Sequence, residues 1–546
     1  MMHLRRWVAL FALLLLGTVC VGAQESSGNG ANAPAIPGAL AQKTVKVRKS
    51  ENPTSLPSPQ GFQEHIIQGK LTLSLDDAIR LALGNNTNIQ MQHTSIENAQ
   101  FALVGSKSPF DPAFASSFSD SRSISPQYSQ LGGATTLNSL TQATLFGFTQ
   151  TVETGGNYQV QFNATKFSSN STFNLFNPSI TTYLAFSFTQ PLLRGAGLFV
   201  NRAPIVIAQR GVKQSRDGFE ESVNDTILAV VNNYWNVVAM RENLKVTQES
   251  LDEAQKSYDH DKRSLELGAL PPLDIYRSES TVASRKVSVI QAEYALKEAE
   301  DQFRQVIGAD IDPNIRAYDV DLTDTAEPSE SMETIDIPTA LEKAMNYRPE
   351  MDSMRLQLAN DDTSVRVARN SRLPNLSIGG SYESNGLGGP PTPLNTALGQ
   401  TFSAENQAYG FSLNLSLPVR NHAAEAALGN ALAAKKRDLY SERQLREQIT
   451  LNVTNAVHQL EQAKQSVAAA KIALDLSQKT LQAEQRKYEL GNETIYLVLE
   501  AQTELSQAEQ ELLQAEVGYH DSVAQVDHET GGLLDRYHVQ IQGISQ

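Results

Sequence analysis

Two hydrophobic periods alternate along the chain. Large apolar residues return every seven positions in two long stretches, as Leu244, Leu251, Tyr258 and Leu265 and as Val467, Leu474, Leu481 and Tyr488. The stretches that follow repeat the pattern with Val282, Val289, Leu296 and Phe303, and with Leu505, Leu512, Tyr519 and Val526. Halfway between these positions stand small residues: Ala254, Ala292, Ala299, Ala470, Ala508 and Ala515. A seven-residue apolar repeat with small residues between predicts long helices packed side by side as in a coiled coil. The longer pair is expected from roughly Pro204 to Leu267 and from Ala423 to Leu490, without internal proline and rich in Ala, Gln, Glu, Lys, Leu and Arg, which favour helix. At 1.5 Å per residue, about 64 residues make a rod of roughly 96 Å.

A period of two marks the other elements. Residues 183–190 and 409–417 alternate apolar and polar, as a strand with two different faces must. Four segments of this kind are expected, at about 112–122, 180–190, 374–385 and 408–418, with Pro191 and Pro418 ending two of them. A further alternating pair, 144–152 and 158–162, is joined around Gly155, Gly156 and Asn157, good hairpin-turn chemistry. It is expected to extend a hairpin beyond the sheet; two more wall strands are the other reading. A helix of about 35 residues is expected to begin at Ser74, with Asp76 and Asp77 near its positive end, and another at Asp336; they stop before Pro109 and Pro374.

The elements occur twice. Residues 71–90 match 333–352 at an offset of 262, so that Ala78 pairs with Ala340 and Ala82 with Ala344. Residues 187–191 match 414–418 at an offset of 227. Residues 250–256 match 473–479 at 223, a register that continues ungapped through Gly268 against Gly491 to Gly308 against Gly531. The chain is one α+β unit duplicated, in the order helix, strands, long helix, break, return helix. The first copy holds the extra length between Pro112 and Pro191. The units are expected at 71–308 and 333–535, with a linker at 309–332 and a tail at 536–546.

Composition adds the compartment. Arg5 and Arg6, the apolar run 7–19 and the small residues up to Ala23 read as a secretory signal cut after Ala23. Cys20, the only cysteine, would leave with it, since Val19 makes a poor lipoprotein box. Residues 24–70, rich in Ser, Gly, Asn and Pro, are expected to be a flexible leader. The chain carries 45 basic against 60 acidic residues, 43 against 60 once the signal is gone, the wrong sign for a nucleic-acid partner. After the signal no apolar run is long enough for a membrane helix. An exported chain can still cross a membrane as a closed barrel. Four strands cannot enclose a lumen, and open edges are not tolerated in lipid, so the barrel would be closed by further copies of the chain.

No catalytic constellation, metal site or cofactor motif stands out. His260, between Asp259 and Asp261, has no second ligand pair nearby; His520 and His528 are eight residues apart, off metal-binding spacing; residues 194–197 lack a dinucleotide fingerprint. No enzyme and no cofactor are expected.

The duplicated plan, with LSLDDAIRLALGNN at its start, FTQPLL at a strand end and YELGNETIYLVLEAQTEL at a helix turn, resembles the TolC-like outer-membrane efflux family over about residues 71–535. The resemblance implies a homotrimer with a twelve-stranded barrel in outer-membrane lipid, four strands per chain, continued by a long periplasmic α-helical barrel. It implies a periplasmic adaptor as partner and an inner-membrane transporter as energy source, for export of small toxic compounds or of proteins. Leu267, Gly268 and Leu270, with Leu490 and Gly491, fall in the family's adaptor-contact tips. Gly268 and Gly491 also suit a helix C-cap. Asp274 and Glu500 match acidic positions of the tip and entrance, where threefold symmetry would make rings of negative charge. Tyr488 matches a tip tyrosine that joins an aspartate and an arginine in holding the tunnel shut. Here the arginine position is Glu493 and a second aspartate position is Leu497, so the latch must differ. The alternative is a non-transporting periplasmic coiled-coil spacer or adaptor, which would not need the paired strands ending at Pro191 and Pro418.

Overall fold

The computed structural model describes residues 58–128, 133–267, 275–310, 312–328, 332, 334–490, 492 and 494–539. They fall into two units. One, built of strands, comprises Pro109–Asn201 and Leu373–Val419; the other, built of helices, comprises Ser58–Ser108, Arg202–Arg372 and the residues from Arg420 onwards.

The first copy contributes β1 (Ile66–Ile67), β2 (Lys70–Leu73), α1 (Leu75–Asn85), α2 (Thr87–Gly105), β3 (Ala113–Pro126), β4 (Thr136–Thr151), β5 (Asn157–Ser169), β6 (Ser179–Pro191), α3 (Leu198–Glu266) and α4 (Ile275–Ile307). Between the copies lie α5 (Pro313–Arg316) and β7 (Asp319–Leu322). The second copy contributes α6 (Ile337–Tyr347), α7 (Pro349–Ser371), β8 (Asn375–Gly388), α8 (Pro393–Ser403), β9 (Asn406–Ser416), α9 (His422–Glu489), α10 (Ile495–Thr530) and the short α11 (Leu533–Arg536). The duplication is visible in the boundaries: α1 and α6 start and stop 262 residues apart, and α3 and α9, like α4 and α10, end 223 apart. No helix among the described residues is long and apolar enough to cross a membrane.

Several expectations are corrected. The single helix of about 35 residues in each copy is two. Asn86 breaks the first, its side chain accepting from the Asn88 N–H at 2.8 Å to cap α2. Arg348 breaks the second, followed by Pro349 in the first turn of α7, where a proline costs no hydrogen bond. The start of α1 is the capping box the Ser74 to Asp77 spacing allows. Helix α3 starts at Leu198, six residues before Pro204, which therefore sits inside it. The expected signal and the expected leader up to residue 57 lie outside the described residues; the rest of the leader is folded in, with Phe62 buried and β1 paired antiparallel with β2. The expected linker holds β7, which pairs parallel with β2 and completes a three-stranded sheet.

Two cores are built around equivalent positions of the two copies, the first also taking in Val517, Ala524 and Leu533 from the second copy. Ala78, Ala82 and Ile89 meet Val230, Tyr234 and Phe303 in the first. Ala340, Ala344 and Met351 meet Val453, Val457 and Val526 in the second. Each return helix ends on a glycine at positive φ, Gly308 at 76° and Gly531 at 74°. A Cβ at Gly308 would meet Asn85 O at 2.8 Å, and one at Gly531 would meet Tyr347 O at 3.2 Å. Both the left-handed backbone and the close approach to the end of α1 or α6 require glycine there.

The strands form one six-stranded antiparallel sheet in the order β3-β4-β5-β6-β8-β9. The expected extension is thus corrected: β4 and β5 lie inside the sheet, hydrogen-bonded along their length between β3 and β6. Their connecting turn lies at the end of the sheet where β6 finishes, not at the far end. There Gly197 N–H donates to Thr154 O at 3.0 Å, and Gly155, at φ 89°, leaves no room for a Cβ beside Gly195 O. One row of facing residues crosses all six strands as Phe114, Phe148, Val160, Phe186, Tyr382 and Tyr409. The next row, on the opposite face, is Ala115, Gly147, Gln161, Ala185, Glu383 and Ala408. Because successive side chains point to opposite faces, the sheet has one aromatic and aliphatic face and one small and polar face. The hydroxyls of Thr182 and Thr401, 2.6 Å apart, join α8 to β6.

Candidate functional site

The ends of the two long helical hairpins carry the residues singled out in the sequence. Leu267, the first residue past α3, is 85% exposed; its equivalent Leu490, past α9, is 75% exposed. Both leucines are thus left bare at the same place in the two copies. Helix α9 closes with the Asn492 N–H on Lys487 O at 3.0 Å, the six-residue bond that ends many helices. Gly268, Leu270, Asp274, Gly491 and Glu493 lie outside the described residues. Glu500 is exposed on α10 while its neighbours Leu499 and Ala501 are buried. Leu497 is half-buried near the start of the same helix. At the sheet, Pro191 is the last residue of β6 and Pro418 lies two residues beyond β9.

The two hairpins of one chain meet where Trp235 on α3 stacks on the His520 ring on α10 at 4.0 Å, and near their ends they are joined through Tyr488. Its hydroxyl donates to Asp261 Oδ1 at 3.2 Å across the sequence distance between α9 and α3. Asp261 is completely buried. Its other oxygen accepts a short hydrogen bond from the Ser278 hydroxyl on α4, and Ser278 is itself buried. His260 approaches from the solvent side, its Nδ1 3.7 Å from Asp261 Oδ1 and its ring edge-on to the Tyr488 ring at 5.8 Å. A carboxylate out of water is tolerable only with its oxygens satisfied, and here both are. Burial first, then the adjacent Asp261 charge and hydrogen bond, push the Tyr488 hydroxyl up to about 12, so it stays protonated and a donor.

Sequence reasoning overlooked Asp261 and Ser278, although the signal was there. Asp261 is seven residues beyond Ala254, and Ser278 lies fourteen before Ala292, so both occupy the small-residue rows that face a neighbouring helix. Thr247, Ala254 and Asp261 are all buried along one such row. A polar residue in that row must find its partner across the interface. A second contact near the ends links the hairpins: the Arg277 guanidinium on α4 sits 5.2 Å from the centre of the Tyr496 ring on α10. Farther along, Arg285 donates to the Thr503 hydroxyl at 2.7 Å.

Comparison with known proteins places this geometry. A family profile described as outer membrane efflux protein matches residues 78–309 and 340–532, the two copies. The pyoverdine export outer membrane protein OpmQ of Pseudomonas aeruginosa is 26% identical over 306 residues, 54% of this chain and 58% of that protein. The outer membrane protein TolC of Escherichia coli is 23% identical over 299 residues, again 54% of this chain and 58% of that protein. The matched stretch thus spans less than two thirds of either relative. Among solved structures, CusC aligns with a TM-score of 0.62 at 15% identity, covering 88% of this chain and 96% of that one. The Campylobacter jejuni CmeC outer membrane channel aligns with a TM-score of 0.61 at 15% identity, covering 92% and 94%. These alignments show a shared fold.

Proposed function

Because the chain belongs to the outer membrane efflux protein family, we propose that it is the outer-membrane exit duct of a tripartite efflux pump or type I secretion system. It works as a homotrimer, receives cargo from an inner-membrane transporter through a periplasmic adaptor, and carries small toxic compounds or proteins outward. The observation that supports a duct over a periplasmic spacer or adaptor is the sheet with one apolar and one polar face. A spacer has no use for a row such as Phe114, Phe148, Val160, Phe186, Tyr382 and Tyr409, whereas a barrel wall needs apolar residues towards lipid and polar ones towards the lumen. The two long hairpins are the natural walls of a periplasmic tunnel. Planar-bilayer recording of the purified assembly tests this: discrete channels are expected, and an assembly that never conducts would refute the duct.

In this reading Leu267, Gly268 and Leu270, with Leu490 and Gly491, form the surface that meets the adaptor, six tips in a trimer. A bulky residue at Gly491 should then abolish export without dissolving the trimer. The entrance is held by Tyr488 on Asp261, supported by Ser278. Glu493 replaces the family's arginine, but Arg277 on the Tyr496 ring supplies a cation from the opposite hairpin. Asp274 and Glu500, repeated by symmetry, make acidic rings that draw cations to the mouth. Divalent cations should block conductance, and Glu500→Ala should weaken that block; an unchanged block would remove Glu500 from the ring.

A further inference from the structure

We propose that all six strands of the sheet are wall strands, so that three copies close an eighteen-stranded barrel in which β9 of each copy pairs with β3 of the next. The proposal rests on the trimeric duct proposed above and concerns what the extra hairpin of the first copy does.

Four observations carry it. The ladder is continuous: β4 and β5 are the second and third strands of six, and without them β3 would have no partner in the sheet. The two-faced pattern continues through them. Phe146, Phe148, Val160 and Phe162 share the face of Phe114 and Phe186, while Thr149, Gln159 and Gln161 share the face of Ser187 and Ser381. A hairpin standing in water beyond the membrane would have no reason to keep that alternation in register with its neighbours. The charged residues of the apolar face, Asp120, Arg122 and Lys166, gather towards the far loops in β3 and β5 alike, as they would where a wall leaves the hydrocarbon. Finally, the β4–β5 turn is tied to the segment after β6 at the near end of the sheet.

The edges name the partner. Strand β9 is exposed along its whole length and β3 at every residue but Ser125, and their apolar residues Phe114, Phe118, Tyr409, Phe411, Leu413 and Leu415 remain uncovered on one face. Six strands are fewer than the eight of the smallest single-chain barrels, and an unpaired edge cannot stand in lipid. Six is also an even number, so β3 and β9 run in opposite directions, and a second copy can continue the antiparallel order at either edge. With strands about 4.8 Å apart and tilted by about 40°, eighteen strands make a cylinder about 36 Å across and twelve about 24 Å. The extra hairpin therefore widens the duct by about half.

The test uses the full chain with Cys20→Ser, reconstituted in lipid vesicles, with single cysteines at Val160 and Phe162 on one face of β5 and at Gln161 and Asn163 on the other. A charged thiol reagent is expected to label positions 161 and 163 at least tenfold faster than 160 and 162. A fluorophore at 160 or 162, and not at 161 or 163, is expected to be quenched by brominated lipid. Equal labelling at all four positions without lipid quenching, in an assembly that still conducts, would overturn the inference while sparing the duct. Electron cryo-microscopy of the unmodified assembly is expected to count eighteen wall strands; twelve, whether from two copies or from hairpins outside the wall, would overturn it. Absence of any channel would instead strike the functional reading.

Discussion

The two hairpin ends occupy equivalent positions and carry different chemistry. In the first, Asp261 is fully buried and meets Ser278 across the helix interface. In the second, the same position is Glu484, which turns to Lys487 at 2.6 Å on its own helix and leaves its other oxygen without a partner. Ser278 corresponds to Ala501, and Tyr488 stands where the first hairpin has Leu265. The copies kept the small-residue rows that set helix spacing and diverged in which copy supplies acceptor and donor. The result is a bond from the second hairpin to the first, which two identical copies would have no reason to make in one direction only. Duplication preserved the packing, and divergence made the link.

The largest effects should come from the paired cores. Phe303 and Val526 are equivalent and fully or almost fully buried. Phe303→Ala should cost about 3–5 kcal/mol and Val526→Ala about 2 kcal/mol, measured by denaturant unfolding. Equal losses would show that the two cores do not respond as separate units.

Next come the hairpin carboxylates. Asp261→Ala leaves the Ser278 and Tyr488 hydroxyls without their acceptor and should cost about 2 kcal/mol, while Glu484→Ala removes one pair with the half-exposed Lys487 together with a buried oxygen that has no partner, and should cost about 0.5 kcal/mol or less. The same unfolding measurement decides, and a Glu484 effect as large as that of Asp261 would cancel the asymmetry. Bilayer recordings sharpen it: Asp261→Ala and Tyr488→Phe should both increase the open fraction, and Glu484→Ala should not.

The capping glycines should differ more mildly. Both need positive φ, but the Cβ of Gly308→Ala meets a carbonyl oxygen closer than that of Gly531→Ala. Losses of about 2 and about 1 kcal/mol are expected, and the reverse order would mean that the end of α1 yields more easily than that of α6.

The smallest effect depends on pH. Asp521 on α10 has a buried oxygen without a partner, whereas its equivalent Glu298 on α4 is exposed. Burial pushes the Asp521 carboxyl up to about 7 from 3.8. The folded chain therefore holds this proton more tightly than the unfolded chain, so the group favours folding at pH below about 4 and that advantage is lost as pH rises through about 7. Asp521→Asn should raise the melting temperature at pH 8 and leave it nearly unchanged at pH 4, while Glu298→Gln, at an exposed position, should change it little at either pH. A gain at pH 4 as large as that at pH 8 would rule out the titration.

Much of this was legible in the residues because it depends on local period. The heptads of Leu244 to Leu265 and of Val467 to Tyr488, and the alternation at residues 183–190, state which face of an element is apolar. The constant offsets showed that one plan occurs twice. The break at Asn86 was not legible, because a helical pattern runs through it and a single capping side chain ends one helix and starts another. The expected 35-residue helix failed on that local competition. Asp261 was passed over because its neighbours in sequence, Asp259 and His260, are exposed and suggest a solvated turn of helix.

The sequence by itself determined the duplicated α+β plan, the long helices, the strands and the positions of the hairpin ends, since each follows from spacing along a single element. Only the tertiary structure decided that β4 and β5 belong inside the sheet, that β7 pairs with β2, and that Tyr488 reaches Asp261. Those outcomes join residues 10 to 249 positions apart. Which partner a strand edge or a buried carboxylate finds depends on what the folded chain brings within hydrogen-bonding distance, and no periodicity along the chain encodes that distance.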